Sequence, residues 1–357
     1  EEEPTPMLSG PWKQRLIRYA NTGTDQQFPM RDGLNSPRTI LGRKILQRKN
    51  MNSSFSFQNK IKGEVRYDEI MSKYTSMRIG GPADVFVLPE SLRDLQIILK
   101  HRGSCPVWTL GEGTNLLVRD RGIRGIVVSL KNCFKSIKRP VFYKTPDGKE
   151  RAVIQVDGGV KLSYLAKYAA RYGLTGIESL VGIPGSVGGA VVMNAGAEGT
   201  EIGQVLRSVK RVNLDGEVEI FDKDDITFAY RKTTFPSGDG IVIEAELDLE
   251  KGEASVVHRK MDDHISRRSS TQPLTMPNSG SIFKNPKGDS AGRLIESSGL
   301  KGCSMGGAGV SIKHANFIVN KGNASAKDVI KLIEHIQTVV EEKTGTKLEQ
   351  EIVIIGE

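Results

Sequence analysis

The chain has 357 residues, 38 % of them hydrophobic and 26 % charged, which allows a sizeable core in two or three domains and excludes a largely disordered chain. The net charge is +9, but residues 1–65 hold 11 Lys/Arg against 6 Asp/Glu, so only +4 is spread over the remaining 292 residues; with no aromatic interleaving, this suits small anionic ligands better than nucleic acid. Three cysteines (Cys105, Cys133, Cys303) with no CxxC pair argue against a metal site or disulfide framework and for a reducing, cytoplasmic setting, and no apolar run reaches the ~20 residues that span a bilayer.

Residues 1–65 open on EEEPTP, the opposite of a basic signal-peptide start, and mix Gly, Pro, Asn and Ser with basic clusters. They read as a loosely ordered extension that catalysis does not need, with Met51 a candidate natural start. From about Tyr74 the pattern sharpens. ADVFVLP reads as a strand, ESLRDLQIILKHRG as an amphipathic helix stopped by Gly103, PVWTL and GIVVSL as two more strands. Then come the strand AVIQVDGG, the helix KLSYLAKYAARYG, and the strands VKRVNL, EVEIF and GIVIEAELDL. A C-terminal part begins near Lys251. Its clearest element is SAKDVIKLIEHIQTVVEEKTG, with Ser325 as N-cap, Asp328 at the capping-box position and Gly345 as the stop, before a last strand EIVIIG.

Two stretches are dense in glycine. LGEGTNLLVRD follows a strand, so its backbone N–H groups can approach a phosphate, yet it lacks the GxGxxG that opens a Rossmann helix. Taken alone it reads more readily as an ordinary turn. GIPGSVGGAVVMNAGAEG carries Gly182, Gly185, Gly188, Gly189, Gly196 and Gly199, a density that costs conformational entropy. It is either tight packing between strands or a second arm around a diphosphate or flat ring; two such arms favour a long, folded, phosphate-containing cofactor.

Several stretches, in order, resemble the UDP-N-acetylenolpyruvoylglucosamine reductase family, the flavoenzymes of bacterial peptidoglycan synthesis that make UDP-N-acetylmuramate. They are YTSMRIGGPADVFVLPES, LGEGTNLLVRDRGIRGIVV, GLTGIESLVGIPGSVGGAVVMNAGA, FAYRKTTF, NSGSIFKNPKGDSAGRLIESSGLKG, GAGVSIKHANFIVN and LEQEIVIIGE. The resemblance covers about residues 66–357. It implies an α+β fold: a PCMH-type (vanillyl-alcohol-oxidase-like) FAD-binding domain in two parts, residues 66–134 and 135–250, and a C-terminal α/β substrate-binding domain, residues 251–357. It implies non-covalent FAD, NADPH as hydride donor, UDP-N-acetylglucosamine enolpyruvate as substrate, no metal, and a monomer that works without membrane or nucleic acid.

Carried over by motif, Gly111, Glu112, Gly113, Thr114 and Asn115 would hold the FAD pyrophosphate. Ile183, Pro184, Gly185, Gly188, Gly189, Ala190 and Gly196 would line the flavin. Arg231, Ser281 and Glu351 match the catalytic trio; Arg268 (toward the UDP diphosphate), Asn285 and His314 are candidate substrate contacts. Glu198 departs from the family, which often has an aromatic residue there. Arg231 and Ser281 lie 50 positions apart, similar to the subgroup without an extra tyrosine loop. The implied reaction delivers hydride to C3 of the enolpyruvyl group and pushes charge through C2 onto the carboxylate. A guanidinium matches that carboxylate in a bidentate fork, a positioned hydroxyl can protonate the strongly basic C2, and a buried carboxyl can hold the carboxylate by hydrogen bonding. Rival readings are another PCMH-type FAD oxidase and a non-catalytic nucleotide-sugar or nucleic-acid binder.

No His or Cys stands in LGEGTNLLVRD to bond the flavin covalently. Acid precipitation of the yellow protein should therefore release all of its flavin into the supernatant, and a yellow pellet would refute this.

Overall fold

The computed structural model describes residues 56–357. The expected extension over residues 1–65 therefore falls, as far as residue 55, outside the described residues. Its end does not behave as a tail: Phe57 is fully buried, and the first strand already begins at Glu64.

The first lobe runs β1 (Glu64–Ile70), β2 (Pro82–Leu88), α1 (Leu92–Lys100), β3 (Val107–Leu110), β4 (Leu116–Val118) and β5 (Ile123–Ser129). Its sheet has the order β1-β2-β5-β3, with β2 and β3 both parallel to β5. The run PADVFVL is buried along nearly its whole length, as a strand covered on both faces must be. Ser91 caps α1 by accepting from the Asp94 N–H. Asp94 is itself buried and accepts the N–H groups of Lys62, Gly63 and Glu90, which fastens the approach to β1 onto the helix. Strand β4 leaves this sheet.

The second lobe contains β6 (Val141–Lys144), β7 (Glu150–Asp157), α2 (Leu162–Arg171), β8 (Leu174–Thr175), α3 (Val187–Val192), β9 (Gly196–Ala197), β10 (Thr200–Glu201), α4 (Ile202–Val205), β11 (Leu206–Asn213), β12 (Val218–Asp222), β13 (Thr227–Ala229), β14 (Lys232–Thr234) and β15 (Gly240–Lys251). Its main sheet, β12-β11-β15-β7-β6, is antiparallel throughout. The alternating burial of β15 matches a sheet with one face on the core.

Next comes α5 (Ala254–Thr271). The sequence reading placed it in the C-terminal part, but it buries Val257 and Met261 against Ala166, Ala170 and Val181 of the second lobe. Apolar contact, not chain order, decides the boundary, which moves past Thr271. The C-terminal lobe then holds β16 (Asn278–Ser281), α6 (Ala291–Ser297), β17 (Ser304–Met305), β18 (Ala308–Val310), β19 (Phe317–Asn320) and α7 (Ala326–Thr344). Its sheet has the order β16-β19-β18-β17. The Ser325/Asp328 capping box opens α7, and Gly345, at φ 69°, closes it. Asp120 of the first lobe reaches the same helix end and accepts the N–H groups of Ala326 and Lys327. Finally β20 (Val353–Ile355) pairs in parallel with β4. Among the described residues no helix is long and apolar enough to cross a membrane.

Phe57 separates two trimmed proteins that the sequence alone treats alike. A chain beginning at Lys62 should melt at least about 5 °C below one beginning at Met51, because only the former loses a fully buried phenylalanine. Calorimetry on the two purified proteins checks this, and equal melting temperatures would refute it.

Candidate active site

The two glycine-rich stretches meet. The first links β3 to β4; its Thr114 hydroxyl donates to the Pro184 carbonyl at 2.7 Å. Ser76 donates to the Gly113 carbonyl from both its N–H and its hydroxyl, and the same hydroxyl reaches the Asn278 carbonyl at 2.6 Å. In the second stretch Ser186 caps α3 by accepting from the Gly189 N–H, and the Leu162 N–H donates to the Gly185 carbonyl at 3.0 Å. Glu112 pairs with Lys161 across the junction at 3.7 Å.

The glycines fall into two kinds. A Cβ at Gly113, whose φ is 64°, would sit 2.0 Å from the Tyr74 carbonyl oxygen, and one at Gly196 would sit 2.2 Å from that of Thr200. At Gly188 it would press on the Gly158 and Val242 carbonyls at 3.1 Å. These three are glycine because protein backbone touches them. Gly111 and Gly189 are different: within 4 Å their Cβ positions meet only Ser186, and Gly185 has only ordinary contacts. Gly185 and Gly189 leave backbone with only ordinary neighbours, while a Cβ at Gly111 would press on the Ser186 hydroxyl at 2.7 Å. No neighbouring backbone approaches any of the three, and together they form a cradle that fits a flat ring and a pyrophosphate. Pro184 is exposed and Ile183 half-buried, whereas Ala190 is buried in the second-lobe core.

Arg231 is the second residue of the two-residue turn between β13 and β14, with φ 57°. Its Nε donates to Glu351 Oε1 at 2.7 Å, and both side chains are mostly buried. The guanidinium also lies over the Tyr230 ring, 4.7 Å from its centroid. Glu351 is fixed by its backbone: its N–H donates to the Ile282 carbonyl at 2.8 Å, and its carbonyl accepts from Asn115 Nδ2 at 3.2 Å. Ser281 ends β16 one residue before Ile282, so it lies on the segment that Glu351 docks against. Arg231 and Glu351 thus meet in an ion pair, and Ser281 lies next to Ile282, the residue of its segment that bonds the Glu351 backbone. Lys284, a candidate partner for the Ser281 oxygen, instead holds Glu349 at 2.5 Å. Burial raises the Glu351 carboxyl above its ordinary value, opposed by the charges of Arg231 and Lys284.

The candidate substrate contacts divide. Arg268 on α5 lies across Gly182, its Nε is buried with no hydrogen-bond partner among the described residues, and burial lowers its pKa. Asn285 is exposed; its Oδ1 accepts the Ala291 N–H and so supports the start of α6. His314 packs edge-on against Phe317, with ring centroids 4.8 Å apart, accepts the Asn316 N–H, and has its pKa lowered by burial. Glu198 is bound to α5 through His264 at 2.9 Å and Arg267 at 3.5 Å. Sequence reasoning missed that Asn115 holds Glu351, because the two are 236 positions apart and no local spacing records the contact.

Comparison with known proteins gives consistent matches. The FAD binding domain family matches residues 83–222, and the C-terminal domain family of UDP-N-acetylenolpyruvoylglucosamine reductase matches residues 272–355. UDP-N-acetylenolpyruvoylglucosamine reductase 2 of Bacillus cereus is 42 % identical over 297 residues, covering 83 % of this chain and 94 % of its own. The UDP-N-acetylenolpyruvoylglucosamine reductase of Caldanaerobacter subterraneus subsp. tengcongensis is also 42 % identical, covering 83 % of this chain and 95 % of its own. The crystal structure of UDP-N-acetylenolpyruvylglucosamine reductase from Thermus caldophilus superimposes with a TM-score of 0.69 at 36 % identity, over 83 % of this chain and 100 % of that one.

The raised Glu351 pKa has a consequence for stability. The folded chain holds the Glu351 proton more tightly than the unfolded chain, so the associated stabilisation is complete below the unfolded value and is lost as pH rises through the folded value. Gln at this position cannot ionise. Urea unfolding from about pH 4 to about pH 7 should show the parent losing stability relative to Glu351→Gln as pH rises; a parent that gains relative to the variant would contradict it.

Proposed function

The chain belongs to the UDP-N-acetylenolpyruvoylglucosamine reductase family, and we propose on that premise that Arg231, Glu351 and Ser281 perform its chemistry at the substrate's enolpyruvyl group. The protein is an FAD-dependent oxidoreductase of peptidoglycan precursor synthesis that reduces UDP-N-acetylglucosamine enolpyruvate, with NADPH as reductant. The observation that carries the residue assignment is the Arg231–Glu351 pair, held between the Asn115 arm and the Ser281 segment.

When bound, FAD would supply the redox chemistry, with NADPH as the hydride source and C3 of the enolpyruvyl group as the acceptor. Electrons of the C2–C3 double bond then move toward C2 and the carboxylate. Arg231 is the cation for that charge. Only its Nε is engaged among the described residues, so the two terminal nitrogens present a fork to a carboxylate. A single oriented donor of this kind contributes roughly 3–4 kcal/mol to such a step. Glu351, which burial pushes toward its protonated form, donates a hydrogen bond to the same carboxylate. Ser281 gives its hydroxyl proton to C2, whose basicity makes a weak acid sufficient. Its hydroxyl makes no hydrogen bond among the described residues, which leaves it available, and the alkoxide is reprotonated through water.

In this reading Arg268 meets the UDP diphosphate, supported by its buried, unpartnered Nε. Asn285 and His314 line the same side through the start of α6 and the neighbouring loop. The enzyme acts in the cytoplasm, as a monomer, in support of cell-wall growth and hence cell shape and division; the free thiols of Cys105, Cys133 and Cys303 suit that compartment.

Stopped-flow absorbance separates the two halves of the reaction. Ser281→Ala should be reduced by NADPH at the parent rate and reoxidised by the enolpyruvyl substrate about 10²–10⁴-fold more slowly. Ser281→Cys should recover part of that loss. Slowed reduction with reoxidation near the parent rate would remove Ser281 from the proton-donor role.

A further inference from the structure

Arg231 sits on a hairpin of three residues per strand, β13 and β14, paired only to each other. Such a hairpin has little stability of its own, and its turn places a non-glycine residue in the left-handed region. Something outside it must hold it still. Both strands are fastened to the end of α3. On β13, two residues before Arg231, the Ala229 carbonyl accepts from Asn194 Nδ2 at 3.1 Å. On β14, two residues after Arg231, the Thr233 hydroxyl donates to the Val191 carbonyl at 2.5 Å.

Asn194 is built for this. It is 1 % exposed and has φ 42°. Its Nδ2 also donates to Glu201 Oε2 at 2.6 Å, and its Oδ1 accepts the Gly203 N–H at 3.1 Å, so both polar side-chain atoms are committed. The opposite end of the same short helix carries Gly189 of the cradle. One helix therefore bounds the cofactor space at its start and anchors the guanidinium-bearing hairpin at its finish.

We propose that Asn194 and Thr233 are positioning residues for the reduction step, setting where the Arg231 guanidinium stands relative to the substrate carboxylate by fastening its hairpin to α3. This rests on the reading of Arg231 as the cation for that carboxylate. Both residues act through Arg231. Loosening either tie lets the fork drift, and misplacement of a reacting group by an ångström costs about 10²-fold.

The test uses the full chain loaded with FAD. Thr233→Val keeps the side-chain shape and removes the hydroxyl, Thr233→Ser restores it, and Asn194→Ala removes the tie on the other strand. Flavin content, melting temperature and both half-reactions are measured for each. Thr233→Val should slow reoxidation by the enolpyruvyl substrate ~10-fold while flavin content and reduction by NADPH stay at parent values; Thr233→Ser should restore most of the rate. In an Arg231→Ala background, Thr233→Val should add no further slowing, because the two act through one group. If Asn194→Ala fails to fold, the Thr233 series decides. Parent-rate reoxidation in Thr233→Val overturns the proposal, as does slowing that persists in full without Arg231 or that falls equally on both half-reactions. Arg231→Ala reoxidising at the parent rate overturns the underlying reading of Arg231 as well, and that single variant identifies which of the two has failed.

Discussion

The parallel pairing of β20 with β4, Val353 opposite Leu116 and Ile355 opposite Val118, determines where Glu351 can stand. Two residues before that pairing begins, Glu351 is bound on one side by Asn115 and on the other by Ile282. Glu351 is thus placed by the first lobe and the C-terminal lobe together. Arg231 reaches it from the second lobe, so the Arg231–Glu351 contact closes a ring through all three. Asp120 at the start of α7, Ser76 on the Asn278 carbonyl, and Asn320 on the Met77 carbonyl reinforce the joint between the first and last lobes. The joint is also apolar, since Met77, Ile79 and Leu117 of the first lobe lie in the core of the C-terminal lobe, so the Arg231–Glu351 contact rests on a shared core as well as on these polar ties.

Within this frame the charge pair is better understood as a poised site than as a source of stability. Both partners lose most of their water, and desolvation offsets much of the Coulomb attraction. For Glu351 burial raises the carboxyl above its ordinary value despite the guanidinium 2.7 Å away, so desolvation outweighs the neighbouring charge. Arg211 shows the structural alternative. It too is buried, but its guanidinium lies between Phe221 and Phe235 and is fully engaged by Glu219, Gly238 and Ser237, which leaves no fork free.

Much of the scaffold was legible because it is local. The strand PADVFVL, the Ser91-capped α1 and the capping box of α7 follow from periodicity and end signals that lie within a few residues of each other. Arg231, Ser281 and Glu351 were singled out only through the family motifs, since nothing near Ser281 or Glu351 marks either as reactive; the structure joins Arg231 to Glu351. Placement of α5 was misjudged because chain order suggested the C-terminal part while its apolar face, Val257 and Met261, chose the second lobe. The glycine stretches were each weighed as a whole, as tight packing or as an arm around a cofactor. The structure divides them, since whether a missing Cβ serves a ligand or a neighbouring carbonyl depends on chain segments as distant as Tyr74 and Val242. Contacts such as Asn115 to Glu351 leave no trace in spacing at all.

The separation of Asn115 and Glu351 by 236 positions also bears on the order of events during synthesis. At about 5–20 residues per second, tens of seconds pass between the ribosome making the first arm and making Glu351, whose backbone carbonyl the arm will hold. During that interval the first two lobes can complete their own sheets, whose strands all lie before Gly252, while β4 lacks its only strand partner. The nascent protein therefore passes through a stage in which both glycine-rich arms have been made and the Arg231–Glu351 pair has not. Assembly runs from the arms toward the charge pair, so a chain that stops early has its glycine-rich arms while Arg231 still lacks its carboxyl partner.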